Sequence, residues 1–356
     1  KKGSDGGRLP PRAQATSVRE NSMKLAKLVD TPETSIVSRN MTLEVVRVTE
    51  RAAVAAVSWR GKGDEKAADH AAVEAMRDEL GRIPINGRIV IGEGERDEAP
   101  MLFIGEHVGR GDGMEVDVAV DPLEGTTLCA KNQQDSMCVL AIAERGGLLH
   151  APDVYMEKIA IGPGYPAGLV DLDADPRDNI NALAKAKGVK PGDITACILD
   201  RPRHAKIIEA VRETGASIRL IGDGDVAGVI HTSDARETGI DIYMGIGGAP
   251  EGVLAAAALR CIGGQMQGRL VLDTPEKRER AARMGVTAPD HKYTMEEMAS
   301  GDVLFAATGV TAGNFLDGVR FGGSIITTET IVMRSSTGTV RRIKAEHRQH
   351  DKFLSN

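Results

Sequence analysis

The sequence predicts an α/β protein, and three observations predict it. In the second half, short apolar stretches such as 195–199 and 217–221 alternate with helical stretches, as in folds with a largely parallel sheet. Hydrophobic residues make up 41% of the 356 residues, enough for a substantial core, although aromatic residues contribute only 3%. Polar loops follow the predicted strands, at the edge where ligands of such sheets bind.

Composition also excludes several classes of partner. The net charge is −6, and no basic run is interleaved with aromatic residues, so we expect no nucleic-acid partner. No apolar stretch reaches membrane-spanning length, so we expect no membrane partner. The four cysteines lie singly, which indicates small core residues in a reducing compartment rather than disulfides or a zinc site.

The first 40 residues differ from the rest of the chain. They carry eight Lys and Arg residues against four acids, and no apolar period begins before about Met23. We therefore expect residues 1–40 to be a basic, poorly ordered extension. Its origin stays open between the remnant of a transit peptide, an artificial leader and a native flexible arm.

Two helices and a strand are predicted next. Apolar residues recur at helical spacing over 41–59 and again over 69–80. Asp69 then stands in the first turn of the second helix, where a carboxylate serves equally well as a cap or as a ligand. A buried strand over 88–91 runs directly into Gly92-Glu93-Gly94-Glu95, typical of a backbone that approaches an ion or a phosphate, although a solvated turn has a similar sequence.

The stretch 121–126 is the centre of the prediction. The alternating run 116–120 predicts a strand that ends at Asp121, because Pro122 has no amide hydrogen to pair. Asp121 and Glu124 then lie around a tight turn, with the hydroxyl of Thr126 close behind. Two carboxylates this close stay ionised together only with a cation between them, and oxygen ligands favour Mg²⁺ or Mn²⁺ over zinc. The alternative is an ordinary acidic β-turn.

The second half places further polar loops at strand ends. Strands predicted at 195–199, 217–221 and 240–244 end in loops that carry acids, arginines and glycines, and a helix over 253–262 follows the last of them. We place a subdomain boundary before residue 195. The predicted divisions are the extension 1–40, a subdomain 41–194 that carries the metal-site acids Asp121 and Glu124, an α/β subdomain 195–347 and a tail 348–356.

Together these loops predict a site for phosphate and metal. Five acids lie at ends of strands or helices: Asp69, Glu93, Asp121, Glu124 and Glu251. Such a set suits phosphoryl transfer with two or more cations, and Arg201 and Arg203 suit the phosphate. The amides of Gly247 and Gly248, opening into a helix, predict a second anion site, although a plain helix entry has a similar sequence.

At this point the motifs carry a family resemblance. Asp121-Pro122-Leu123-Glu124-Gly125-Thr126 resembles the metal signature of the lithium-sensitive sugar and inositol phosphatase superfamily. Four further stretches, in chain order, resemble the class II fructose-1,6-bisphosphatases of the bacterial type: 91–95, 201–204, 223–227 and 245–252. The resemblance covers about residues 41 to 347. It departs at Thr127, where many relatives carry Arg, and at Arg201, where some carry Lys.

The resemblance implies a layered α-β-α-β-α sugar-phosphatase fold with two intimately packed subdomains. It implies hydrolysis of the 1-phosphate of fructose 1,6-bisphosphate in gluconeogenesis, with Mg²⁺ or Mn²⁺ as two or more ions. The implied metal ligands are Asp69, Glu93, Asp121, Glu124 and Glu251. The implied catalytic residues are Thr126, Glu93 and Asp121, with Thr126 orienting the attacking water while hydrogen-bonded to a carboxylate such as Glu93. The implied substrate contacts are Glu124, Gly125, Thr126, Tyr155, Arg201, Pro202, Arg203, Asp223, Gly224, Asp225 and Gly248.

Several alternatives remain at this stage. The motifs favour a ketose bisphosphate over an inositol phosphate, but they do not separate fructose 1,6-bisphosphate from sedoheptulose 1,7-bisphosphate. A non-catalytic sugar-phosphate-binding regulator predicts a missing ligand, yet every acid is present. A nucleotide kinase lacks support, since no GxxxxGK[ST] loop occurs. We expect a cytoplasmic homodimer or homotetramer that binds a small sugar bisphosphate, or an organellar protein if residues 1–40 remain from a transit peptide.

Overall fold

The structure is built on two β-sheets. The computed structural model describes residues 40–94 and 100–353, and all of these residues belong to one compact unit. The predicted extension 1–40 therefore lies outside the described residues except for its last residue. In chain order the strands of the described residues are β1 (Ile85–Ile91), β2 (His107–Val108), β3 (Met114–Glu124), β4 (Met137–Glu144), β5 (Tyr155–Ile161), β6 (Thr195–Leu199), β7 (Ser217–Ile221), β8 (Ile242–Gly248), β9 (Gln265–Leu270), β10 (Lys292–Thr294), β11 (Val303–Gly309), β12 (Arg320–Gly322), β13 (Ile325–Arg334) and β14 (Thr339–His347).

The helices pack around and between these sheets. In chain order the α-helices of the described residues are α1 (Met41–Val57), α2 (Glu65–Leu80), α3 (Thr126–Ala130), α4 (Pro176–Lys187), α5 (Ala205–Glu213), α6 (Asp225–Ile230), α7 (Ala235–Thr238), α8 (Ala249–Ile262), α9 (Pro275–Arg283) and α10 (Met295–Met298). Within 40–94 and 100–353, no helix has the length and apolar character needed to cross a bilayer.

Strand pairing is mixed in both sheets. The first sheet has eight strands in the order β12-β13-β11-β4-β3-β1-β2, with β14 also paired to β13, and the second has six in the order β10-β9-β5-β8-β6-β7. Parallel pairs join β1 to β3, and β6 to both β7 and β8. The other pairs are antiparallel, so the expectation of a largely parallel sheet is wrong beyond these strands. The alternation of strands and helices over residues 195–262 accounts for only part of the second sheet.

The layers follow from alternating burial along the strands. In β4, Met137, Val139 and Ala141 face a core between the two sheets, which also holds the apolar residues of α8. The intervening residues of β4 face a second core, under α1 and α2. A third core lies between the second sheet and α4 with α5. The order of layers is helices, sheet, helix, sheet, helices, which confirms the predicted α-β-α-β-α arrangement.

The division of the strands between the two sheets does not coincide with the boundary predicted before residue 195. β5 belongs to the second sheet although it precedes that boundary, and β11 to β14 return to the first sheet. The reason is β-pairing across long separations, as in the full-length pairing of β4 with β11. All four cysteines are free and buried, as expected for small core residues.

Candidate active site

The end of β3 brings two acids to the same side of the sheet. Asp121 pairs with Val139, but Glu124 pairs with Met137, so β3 has one more residue than β4 over this interval. That extra residue is a β-bulge, and it accommodates Pro122 in a strand. Residues three apart in a regular strand point to opposite faces, so the bulge is what lets both carboxylates face one side. The prediction that the strand ends at Asp121 in a tight turn is therefore wrong.

Gly125 turns the chain sharply after β3. Its φ is +73°, in the left-handed region where glycine carries no penalty, and α3 begins at the next residue, Thr126. Thr126 lines the cleft described below. Among the described residues, no hydrogen bond joins its hydroxyl to Glu93, so the predicted bond between these side chains is not present.

β1 and α2 supply two more acids. β1 runs parallel to β3, so its carboxyl end lies beside Asp121, and Glu93 follows two residues after that end. The predicted capping alternative for Asp69 is wrong, because α2 begins one turn earlier and its cap is Asp64, which accepts a hydrogen bond from the Ala67 amide at 2.9 Å. Asp69 thus lies within the helix with its side chain free for the cleft.

Glu251 enters from the second sheet, in the first turn of α8. A Cβ on Gly248 would lie 1.8 Å from the Glu251 Oε2 atom, and a Cβ on Gly247 would lie 1.7 Å from Asp225 Oδ2. These glycines therefore make room for two carboxylates of the protein itself. The predicted anion site concerns the amides of Gly247 and Gly248, and it stays a prediction.

A single cleft of about 280 Å³ collects these groups. Its walls include all five predicted metal ligands, as well as Gly125, Thr126 and Asp223. Asp153, from the segment before β5, also lines it and was not predicted. The only sequence signal for Asp153 is its place in the polar turn just before Tyr155.

The cleft carboxylates raise one another's pKa. Burial raises the pKa of Glu93 well above its usual range, and the charges of Asp69, Asp121 and Glu251 raise it further. Burial likewise raises the pKa of Asp121 to about 6, with the charge of Asp69 adding to the shift. For Glu124, burial and then the charge of Asp121 raise the pKa well above the usual range.

Glu251 and Asp69 show the same pattern. Burial and then the charge of Asp225 raise the pKa of Glu251 to about 7, while the Lys158 ammonium opposes that shift. Burial also raises the pKa of Asp69. Buried like charges without a counter-ion are what a cation would stabilise.

The donor set fits a hard cation. It consists of carboxylates, and Glu251 Oε2 is buried with no hydrogen-bond partner among the residues that the structure describes. Across residues 40–94 and 100–353, no three acidic, histidine or cysteine side chains already converge as a closed metal site. The chemistry of these residues fits a cation, although their side chains do not yet surround a common point.

The arginine patch, defined as Arg201, Arg203 and Tyr155, lies beside this cleft. Tyr155 pairs with Gly248 across β5 and β8, and the Arg203 guanidinium stacks over the Tyr155 ring at 4.7 Å. Arg203 also donates from Nη2 to the Ile246 carbonyl at 2.6 Å, and Arg201 donates to the Asp200 carbonyl at 3.0 Å. Pro202 lies between the two arginines, is exposed and is the first residue of a short 3₁₀ helix that includes Arg203.

His204, next to this patch, has a structural place instead. It is fully buried, with Nδ1 2.7 Å from the Leu199 carbonyl and Nε2 accepting from the Ile246 amide at 2.8 Å. Because an amide can only donate, Nε2 is the acceptor and Nδ1 carries the proton. Burial lowers the pKa of His204, which keeps the ring neutral.

The segment 223–225 is split between cleft and interior. Asp223 lines the cleft, and Gly224, with a φ of +81°, packs near the Glu124 carboxylate. The Asp225 carboxylate turns inward, where its Oδ2 atom lies 2.5 Å from Lys158 Nζ. Lys158 was not predicted, and its signal in the sequence is a cation between Met156 and Ala160, at a position whose neighbours on the same face of β5 are apolar.

A cluster of repelling carboxylates beside guanidinium groups is a site for phosphate esters and cations together. Set between two sheets, it defines the class of this chain: an α/β phosphoric monoester hydrolase.

Comparison with known proteins gives the family. Residues 39–347 match the family described as bacterial fructose-1,6-bisphosphatase, glpX-encoded. The chain belongs to this family, which confirms the class II resemblance seen in the motifs.

Three curated relatives share one name, D-fructose 1,6-bisphosphatase class 2/sedoheptulose 1,7-bisphosphatase. Two are from Synechococcus sp., strains JA-3-3Ab and JA-2-3B'a(2-13), each 48% identical over 330 residues, covering 86% of this chain and 94% of the relative. The third, from Synechocystis sp. (strain ATCC 27184 / PCC 6803 / Kazusa), is 45% identical over 330 residues, covering 86% of this chain and 95% of the relative.

Proposed function

We propose that this protein hydrolyses the 1-phosphate of fructose 1,6-bisphosphate to fructose 6-phosphate and phosphate, a step of gluconeogenesis. The observation that carries the proposal is that five acids from several segments of the chain line one cleft, beside two arginines. A site of this kind stabilises charge on a transferring phosphoryl group, which is where most of the catalysis of phosphoryl transfer arises.

Asp69, Glu93, Asp121, Glu124 and Glu251 would hold Mg²⁺ or Mn²⁺, as two or more ions. When bound, such ions supply positive charge that polarises the phosphate ester and acidifies a water molecule. This positive charge would favour the ionised form of the carboxylates, which burial and mutual repulsion oppose.

The remaining roles belong to the chain itself. Thr126, at the first position of α3, presents a hydroxyl to the cleft and would orient the attacking water for in-line attack. Arg201 and Arg203 would bind the distal phosphate, for which Arg203 would exchange its carbonyl partner. Asp223 would accept hydrogen bonds from sugar hydroxyls, and Gly125, Gly224 and Gly248 would contact the substrate through backbone groups.

A dual activity on sedoheptulose 1,7-bisphosphate is the second candidate. The observation that favours it is the shared name of the three relatives, which gives both activities. We further propose a homodimer or homotetramer in the cytoplasm as the working form.

The deciding experiment measures phosphate release with Mg²⁺, with Mn²⁺ and with EDTA. Fructose 1,6-bisphosphate, sedoheptulose 1,7-bisphosphate and inositol 1-phosphate serve as parallel substrates. We expect metal-dependent release from the fructose ester, and comparable release from the heptulose ester would establish the dual activity. Release from none of them would overturn the proposal and favour a binding role.

The role of Thr126 has its own test. Thr126→Ala should lower kcat by about a hundredfold or more while KM changes little, because the hydroxyl acts on the water rather than on the substrate. Thr127→Ala, one residue further along α3, is the matched control and should retain activity. Equal losses in kcat and in substrate affinity for Thr126→Ala would contradict this role.

A further inference from the structure

Lys158 is a fully buried ammonium that contacts residues next to the cleft acids. Its side chain has no exposed surface, and its neighbours on the same face of β5, Met156 and Ala160, are buried apolar residues. Removing an ammonium group from water is costly unless fixed partners replace the water. Lys158 has two such partners: Asp225 Oδ2 at 2.5 Å and the Gly248 carbonyl at 2.7 Å.

These two partners lie at the starts of two helices next to cleft acids. Asp225 is the first residue of α6, and the next amide, that of Val226, donates to Glu124 Oε1 at 2.7 Å. Gly248 immediately precedes α8, whose first turn carries Glu251. One ammonium therefore joins the segment that holds Glu124 to the segment that carries Glu251.

The space around Lys158 leaves little freedom for movement. A Cβ on Gly247 would lie 3.1 Å from the Lys158 Nζ atom, and a Cβ on Gly252 would lie 3.5 Å from its Cδ atom. Glycines at both positions let the backbone of β8 and α8 close around the lysine. The ammonium is consequently held at one position relative to both helix starts.

We propose that Lys158 is a positioning residue of the cation site, which fixes Glu124 and Glu251 relative to each other through Asp225 and Gly248. The inference rests on the proposed function, since it assigns Lys158 to the metal-binding step of that site. Groups that orient ligands from behind commonly change metal affinity by about 10–100-fold when they are removed. Lys158 belongs to this class although it touches neither cation nor substrate.

A second buried ion pair provides the matched control. Arg334 and Asp302 approach to 3.1 Å, with side chains only 7% and 6% exposed. They lie where β11 begins and β13 ends. The cleft acid Glu124 is level with the opposite end of β11, because Met137 of β4 pairs with Gly309 on one side and with Glu124 on the other. Breaking this pair should disturb folding as much as breaking the Lys158 pair, but without reaching the cleft.

The test measures Mn²⁺ binding to the protein without substrate, by calorimetry or by the loss of the free Mn²⁺ electron paramagnetic resonance signal, together with Tm. We expect Lys158→Met to weaken Mn²⁺ binding by about tenfold or more. Arg334→Met should lower Tm comparably, with Mn²⁺ affinity within about twofold of the wild type. Unchanged Mn²⁺ affinity in Lys158→Met would overturn the inference.

A double variant separates positioning from simple charge balance. Lys158→Met with Asp225→Asn removes both charges, which folded proteins tolerate better than one unpaired buried charge. We expect the double variant to remain weaker in Mn²⁺ binding than Asp225→Asn alone, because the link to Gly248 is still missing. Equal affinity of the two would overturn the positioning role. Failure of the wild-type protein to bind Mn²⁺ would instead overturn the proposed function.

Discussion

The acidic cluster and the arginine patch are neighbours with opposite physical character. The five acids are buried or half-buried, and most raise one another's pKa. Tyr155 is 48% exposed, and both arginines already donate to backbone carbonyls. The cluster therefore stores unfavourable electrostatic energy that a ligand would release, whereas the patch is satisfied before any ligand binds. The comparison teaches that substitutions in the cluster should change the stability of the metal-free protein, whereas substitutions in the patch should not.

The largest effect is expected from Asp121→Asn. Loss of a ligand carboxylate should lower kcat/KM by at least about a hundredfold, because even groups behind metal ligands cost 10–100-fold. In EDTA the same variant should be more stable than the wild type, with Tm raised by a few degrees, since one repelling charge is gone. Phosphate release and thermal unfolding in EDTA check the two effects. A lower Tm in EDTA would show that the cluster is not under electrostatic strain.

Arg203→Ala should weaken substrate binding without changing the stability of the protein. We expect KM to rise by roughly tenfold to a hundredfold, the usual worth of a hydrogen bond to a charged group, with little change in Tm. Arg236, whose side chain is 97% exposed on α7, provides the control, and Arg236→Ala should leave KM unchanged. Substrate saturation curves measure this difference. A large fall in kcat at unchanged KM would place Arg203 in the chemical step instead.

Gly248→Ala tests whether Glu251 needs the space beside Gly248, a residue that also pairs with Tyr155 of the arginine patch. Its backbone angles suit alanine, but the new Cβ would occupy the position of the Glu251 carboxylate. We expect roughly tenfold weaker Mn²⁺ binding at nearly unchanged Tm. Gly222→Ala, where a Cβ meets open space, is the matched control. Unaltered Mn²⁺ binding by Gly248→Ala would mean that Glu251 does not need this position.

The smallest effect is a pH dependence of the metal-free protein. The folded pKa values of Asp121 and Glu251, about 6 and about 7, lie above their unfolded values. Proton binding therefore favours the folded state, and this stabilisation is complete below the unfolded pKa values and lost as pH rises through the folded ones. In EDTA, the free energy of unfolding should fall by roughly 1–3 kcal/mol between pH 5 and pH 8.

Two comparisons sharpen this result. Mg²⁺ at pH 8 should restore most of the stability, and Asp121→Asn should reduce the slope in EDTA. Denaturant unfolding at each pH measures both. A free energy of unfolding that rises with pH in EDTA would contradict the assignment of strain to the acidic cluster.

Much of the candidate site could be predicted from the sequence. Glu93 follows a strand, Asp121 and Glu124 lie at the end of one, and Glu251 opens a helix, while nearby glycines mark turns, so local patterns suffice to select these acids. The cap of α2 was missed because Asp64 and Asp69 both suit the first turn, and only the observed hydrogen bond separates them. The bulge in β3 was missed because it depends on the register with β4.

The sequence by itself determined the α/β class, most element positions, the family and the acids of the cleft. Those features depend on residue type and on the spacing of apolar residues within short windows, both of which can be read from neighbouring positions in the chain. Only the tertiary structure decided which strands share a sheet, that Asp225 turns inward to Lys158, and that Gly247 and Gly248 make room for carboxylates. These features join residues far apart in the chain, and their energies come from burial and packing, which no local pattern encodes.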